Sequence, residues 1–295
     1  MLFHTSNYLP ERGFFMIRII TDSTADLLPE RIQQLGVEVL PLSVHFGGET
    51  YQDGVDMNPA QFYEKLAGAD TLPTTSQINP DVFVSVFEKH LEAGDQVLGI
   101  FISSELSGTF QSAAIARDMV GGKDIAVVDS RTVTFALGLL VEQACILRDR
   151  GLPLDELTAQ VAELTQRVRL LAVVDTLKYL KMGGRISSAT AVVGGILGIS
   201  PIIAVQNGKV DSIGKARGRK AAFGWIREEL GRRPADLSLP VSFGHSNAPE
   251  AMAENMSFFA DWSVRAPLVC TGNIGAVVGT HAGPGATGLA YFEQK

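Results

Sequence analysis

The sequence predicts a two-domain α/β protein. A three-layer α/β domain on a parallel sheet covers residues 16–165, and a second α/β domain with a mixed sheet covers residues 166–295. Three observations predict it. Up to about residue 165, apolar runs of strand length alternate with helical stretches, an order that implies parallel strands and right-handed crossovers. Beyond that point the alternation breaks. There, Asn207-Gly208 stands between two strand-like runs, 201–205 and 210–213, which is the sequence of a tight antiparallel hairpin.

Taken in order, residues 1–15 show no periodic apolar face and are expected to be a disordered extension, with Met16 opening the first strand. Residues 17–20 are a β-branched run that ends in Thr21-Asp22-Ser23. A helix over 27–35 follows, with Pro29 in its first turn and Gly36 after its end. Residues 37–44 read as one strand, Asp53-Gly54 as a turn, and 59–66 as a helix capped by Asn58. The prolines and polar residues of 72–80 predict an extended loop. A helix over 81–93 carries Val82, Phe83, Val86 and Phe87 on one side.

The strand at 97–102 runs into a turn crowded with hydroxyls, namely Ser103, Ser104, Ser107 and Thr109, and then into a helix. Residues 125–128 form the next strand, and 133–148 and 154–168 form long helices. In the second half, the spacing predicts strands at 170–174, 239–243 and 287–292. Helices are predicted at 176–181, 189–197, 217–230 and 248–262. No internal repeat is visible.

Composition narrows the function. A net charge of −7 argues against nucleic acid as a partner. The two cysteines, Cys145 and Cys270, lie in apolar contexts, make no disulfide framework and suit a reducing cytosol, so a cytoplasmic location is expected. No Cys/His spacing suggests a metal site. The start of the chain lacks a signal-peptide pattern. The uncharged segment 186–205 is punctuated by Gly194, Gly195, Gly198 and Pro201, which favours a buried helix and a strand over a membrane span.

Polar residues close each strand of the first half: Asp22-Ser23, Ser103-Ser104 and Asp129-Ser130. Parallel sheets bind ligands at that edge, and helix starts offer N–H groups to anions. Ser107 reads equally as a helix N-cap. No phosphate-binding glycine motif is present. Gly244-His245-Ser246-Asn247-Ala248 resembles a nucleophile elbow, with Asp261 and His281 in triad order. The second glycine is replaced by Ala248, however, and Pro249 follows, which favours Ser246 as a turn residue. His281 lies in a glycine-rich stretch read as a loop, and Arg185 follows Gly183-Gly184. Each suits either a ligand contact or a structural role. Lys215, Arg217, Arg219 and Lys220 form a basic cluster, either a solvated helix start or a docking patch for an anionic partner.

Taken together, several spaced motifs resemble the DegV family of bacterial fatty-acid-binding proteins. They are Thr21-Asp22-Ser23, Asp53-Gly54, Thr74-Thr75-Ser76-Gln77, Leu106-Ser107-Gly108-Thr109, Val128-Asp129-Ser130, Gly183-Gly184-Arg185-Ile186 and Gly279-Thr280-His281-Ala282-Gly283-Pro284-Gly285. The resemblance implies two α/β domains with a long-chain fatty acid between them. It implies that Thr75, Ser107 and His281 bind the carboxylate, with Ser76, Gly108, Arg185 and Asp53 near the site or facing a partner. That partner would be an ATP-binding fatty acid kinase subunit, and the product an acyl phosphate for phospholipid synthesis. The chain itself would supply binding rather than ATP chemistry and need no cofactor or metal, and transient membrane contact is compatible with such a role. One departure is Ser200 before Pro201, where many relatives carry a basic residue. A lipid carrier or sensor without a kinase, and a serine hydrolase using Ser246, are the alternatives.

Overall fold

The computed structural model describes residues 16–186 and 198–295. In chain order the first half contains β1 (Ile17–Asp22), α1 (Pro29–Leu35), β2 (Glu38–Leu40), β3 (Ser43–Phe46), β4 (Glu49–Gln52), α2 (Pro59–Ala67) and β5 (Thr74–Ser76). It continues with α3 (Pro80–Glu92), β6 (Gln96–Phe101), α4 (Thr109–Met119), β7 (Ile125–Asp129), α5 (Thr134–Asp149) and α6 (Leu154–Arg167). The second half contains β8 (Val168–Val173), α7 (Lys178–Met182), β9 (Ile199–Gln206), β10 (Lys209–Arg217), α8 (Arg219–Arg232) and β11 (Val241–His245). It ends with α9 (Pro249–Phe258), α10 (Ala260–Arg265), β12 (Val269–Asn273), α11 (Ala276–Ala282) and β13 (Thr287–Phe292).

The fold is mixed α/β, as expected. A four-stranded parallel sheet, β2-β1-β6-β7, carries the first half. A six-stranded sheet, β10-β9-β8-β13-β11-β12, carries the second, and it is mixed because β11 and β12 run parallel while the other neighbours run antiparallel. The hairpin turns at Asn207 and Gly208, both with positive φ, as a two-residue primed turn requires. Helix α5 lies between the two large sheets and touches β1 and β6 on one side and β8, β11, β12 and β13 on the other. Nearly all its side chains are buried, so it is apolar around most of its circumference.

The structure corrects several expectations. The strand over 37–44 is two strands in different sheets. Pro41 has no N–H to continue the ladder, so the chain leaves the parallel sheet after Leu40 and enters a small antiparallel sheet, β4-β3-β5. Residues 74–76, expected as loop, are the short edge strand of that sheet, paired Val44↔Thr75. The helix over 248–262 breaks at Phe259 into α9 and α10. His281 lies in a helix, α11, not in a loop. Strands β4 and β12 were not anticipated. The extension 1–15 and the helix expected at 189–197 lie outside the described residues.

Candidate ligand site between the sheets

A cavity of ≈ 310 Å³ opens between the second-half sheet and the ends of the first-half strands. Leu42, Ile102, Leu170, Ala172, Ile203 and Val205 supply much of its apolar lining, and Thr75, Gln77, Ser107, Gly108, Arg185 and His281 supply polar groups. That volume is at the low end of small-molecule sites, and apolar walls with a few placed polar groups are their usual chemistry.

Each polar group is fixed by local structure. Residues of a strand alternate in facing, so Thr75 turns inward with buried Val44 while Ser76 turns outward. Ser76 also borders the cavity, yet its hydroxyl is bonded to His45 Nε2 at 3.0 Å. Thr75 Oγ1 and His281 Nε2 share a hydrogen bond of 3.0 Å. Ser107 stands one residue before the N-cap, Gly108, of α4. Its Oγ accepts from the Thr109 N–H at 3.3 Å and lies 3.0 Å from Thr109 Oγ1. A Cβ at Gly108 would sit 2.0 Å from Gln77 Oε1, so any side chain there would displace the end of Gln77. Gln77 in turn donates to Ser112 Oγ at 3.0 Å, which ties β5 to α4 and so brings Thr75 and Ser107 to the same cavity.

Helix α11 is positioned from the first half of the chain. Asp26 Oδ1 accepts the Gly275 N–H at 2.8 Å, and Asp53 accepts the N–H groups of Ala276 at 2.9 Å and Val277 at 3.3 Å. These carboxylates occupy the open N–H groups of the first turn. Asp53, expected near the site or facing a partner, is buried beneath the helix start and does not border this cavity. Burial pushes the carboxyls of Asp22, Asp26 and Asp53 up, Asp22 to about 6, and for Asp26 the neighbouring Asp53 adds to the effect.

At the other end of α11, burial and then the positive charge of Arg185 push His281 down to about 4, so its ring is neutral at physiological pH. Its Nδ1 is buried without a partner among the described residues, against Gly183, where a Cβ would lie 2.1 Å away. The exposed Arg185 donates to the carbonyls of Gly183 at 2.7 Å and Leu106 at 3.3 Å, so the guanidinium stays at the mouth. Gln77, Gly183 and Asp26 were not singled out as site residues. Only the Gly-Gly pair before Arg185 offered a signal, since close approach to a ring needs a residue without Cβ.

The hydrolase triad is not assembled. Ser246 is fully buried, its hydroxyl accepts the Ala286 N–H at 2.8 Å, and Asp261 pairs with Arg227 at the surface. Among the described residues no cluster of three or more His, Cys, Asp or Glu is suited to a metal ion. No described helix is long and apolar enough to cross a membrane.

An apolar cavity crowned by hydroxyls and a neutral imidazole fits a ligand with a long apolar body and a small hydrogen-bonding head. Fold and site together define an α/β protein of two large sheets and one small one, with an apolar cavity rimmed by polar groups between the large sheets. A family model described as "Uncharacterised protein, DegV family" matches residues 16–294, and the chain belongs to the DegV family. It is 38% identical over 284 residues to a DegV domain-containing protein of Caldanaerobacter subterraneus subsp. tengcongensis, covering 95% of this chain and 99% of that one. A counterpart from Deinococcus radiodurans is 38% identical over 281 residues, covering 93% and 97%.

Among solved structures, a DegV family protein from Thermus thermophilus, described for its fatty acid binding, matches with a TM-score of 0.87 at 32% identity. The match covers 95% of this chain and 100% of that one. DegV of Bacillus subtilis, described as a fatty acid binding protein, matches at 0.83 and 32%, covering 95% and 100%. A stearic acid-binding protein from Eubacterium ventriosum matches at 0.84 and 28%, covering 94% and 98%.

Proposed function

We propose that this protein binds a long-chain fatty acid in the cavity, with its carboxylate at Thr75, Ser107 and His281, and presents that carboxylate to an ATP-dependent kinase partner. The observation that carries the reading is the Thr75–His281 pair at the polar rim of an otherwise apolar cavity. The fatty acid binding described for the Thermus thermophilus and Bacillus subtilis relatives, and the stearic acid binding of the Eubacterium ventriosum one, support it.

Affinity comes mainly from the tail, since each buried methylene contributes about 0.8 kcal/mol. The head can then be held without a buried cation. A bidentate arginine would bind the ground-state carboxylate more tightly and so resist reaction, whereas hydroxyls and a neutral imidazole leave the oxygen nucleophilic. In the transfer step, one carboxylate oxygen attacks the γ-phosphorus of ATP held by the partner. The bond from that phosphorus to the β,γ-bridging oxygen breaks, which yields acyl phosphate for phospholipid synthesis and ADP. Arg185 at the mouth, and the exposed Lys215, Arg217 and Lys220, offer positive charge to an anionic partner surface or to the new phosphate.

Mass spectrometry of lipid extracted from gently purified protein tests the binding. A stoichiometric long-chain fatty acid is expected, and its absence would overturn the reading. Acyl phosphate formation on adding a kinase subunit and ATP tests the partner. Binding without transfer to any such subunit would favour a carrier or sensor.

A further inference from the structure

Strands β8 and β9 do not pair along their whole length. Their ladder holds Val173↔Ile202, Ala172↔Ile203 and Leu171↔Ala204 and stops there, although β8 begins at Val168 and β9 runs on to Gln206. The sheet therefore forks beyond Leu171. At the fork the apolar cavity meets a second, polar pocket of ≈ 200 Å³, and Leu170, Ala204 and Val205 border both. Beyond them stand Gln166, Arg169, Glu229 and Arg233, with the Arg169 guanidinium paired to Glu293 at 2.6 Å.

The fork lies away from the His281 end of the cavity. The turn after His281 rests on the residues that follow Val174, with Gly285 against Asp175 and Gly283 against the Tyr179 ring. Leu170, Ala172 and Val174 all border the cavity at alternate positions of the chain, and at the rise of an extended strand Leu170 stands about 13 Å from Val174. Val205 is buried and paired with Val210, which also borders the cavity.

We infer that Leu170 and Val205 are the end-stop of the acyl cavity and set the longest chain the protein accepts. The inference rests on the fatty-acid reading above. The two residues stand where the two spaces meet, and the mainly polar pocket behind them gives a terminal methyl little apolar surface to gain. Truncating either side chain lengthens the apolar cavity by the space it vacates, which the surrounding sheet only partly refills.

The experiment is mass spectrometry of the co-purified lipid from wild type, Leu170→Ala, Val205→Ala and Val205→Phe. It is paired with binding of a fatty-acid length series to the delipidated proteins. Both alanine variants are expected to shift their preference about two carbons longer, the equivalent of the removed side chain. Val205→Phe is expected to shift it shorter. Should the phenylalanine variant fail to fold by circular dichroism, Val205→Ile makes the same test with one added methyl group. An unchanged length distribution in folded variants, or an equal loss of all lengths, overturns the end-stop while leaving fatty acid binding intact. A wild type that carries no fatty acid and binds none in the series overturns the underlying reading instead.

Discussion

Thr75 and His281 are 206 residues apart in sequence and share a 3.0 Å hydrogen bond at the cavity rim. One stands on an edge strand of the first half, the other on the last helix of the chain. Their meeting depends on Asp26 and Asp53, which hold the start of α11 against the first half. The proposed head-group site is thus made by the docking of the two halves, and neither half contains it alone.

Replacing Asp53 with alanine should show this coupling. The Ala276 and Val277 N–H groups would lose their shared acceptor in a buried place, at a cost of about 2–4 kcal/mol for two orphaned donors. A clear drop in melting temperature and weaker retention of bound lipid are expected. Asp53→Asn keeps one acceptor oxygen and should lose roughly half as much. Equal stability of Asp53→Ala and wild type would show that α11 is held by other contacts.

The ring of His281 predicts a pH effect of definite sign. Its folded value of about 4 lies below the ordinary 6.5, so between those values the unfolded chain binds more protons than the folded one. This group's contribution to stability is complete above pH 6.5 and is lost as the pH falls toward 4. Asp22, pushed up to about 6, contributes with the opposite sign, its share being lost as the pH rises through 6. The comparison must therefore be made against His281→Gln, which keeps a hydrogen-bonding partner for Thr75. The stability gap between wild type and variant, measured by urea denaturation from pH 7.5 to 4.5, should shrink on acidification. Parallel profiles would mean that the imidazole is not buried in its neutral form.

Gly183 and Gly108 should respond differently to alanine. At Gly183 a methyl would occupy the place of His281 Nδ1, within a packed contact, and the ring must turn away from Thr75. At Gly108 the obstacle is the end of the flexible Gln77 side chain, which can move aside. Gly183→Ala is expected to fold and lose head-group binding tenfold or more. Gly108→Ala should stay within a few-fold of wild type, measured as fatty acid affinity. The reverse order would contradict the placement of His281.

Much of the fold was legible because it rests on local signals. The strand–helix alternation gave the parallel sheet, Asn207-Gly208 gave the hairpin, and Asn58 with Gln61 forms the capping box that starts α2. The site was less legible, because its decisive elements are short and held from afar. Strand β5 has three residues at the edge of its sheet, beside β3, so its polar sequence reads as a loop. Helix α11 has seven residues, with Gly275 before it, Gly279 within it and Gly283 after it, a composition that disfavours a helix until Asp26 and Asp53 hold its start. Asp53 sits at a turn signal, and nothing in its neighbourhood reveals that its carboxylate reaches 223 residues along the chain to Ala276.

The sharpest test separates acyl presentation from hydrolysis. Removing the hydroxyl of Thr75 or Ser107 should cost about 0.5–1.5 kcal/mol of head-group binding, or more because the acceptor is charged. The buried tail should keep much of the lipid in place. Transfer is more sensitive than binding, because a carboxylate shifted by an ångström no longer lines up with the phosphoryl group. Thr75→Ala and Ser107→Ala are therefore expected to retain lipid and lose most acyl phosphate formation in the presence of a cognate kinase subunit. Ser246→Ala serves as the contrast. Its hydroxyl supports the Ala286 N–H in a buried place, so the variant should lose about 1–3 kcal/mol of stability yet keep its transfer activity in the folded fraction. A hydrolase would behave in the opposite way, cleaving esters unaided, losing that activity with Ser246 and ignoring Thr75. Normal acyl phosphate formation by both Thr75→Ala and Ser107→Ala would show that the carboxylate lies elsewhere in the cavity.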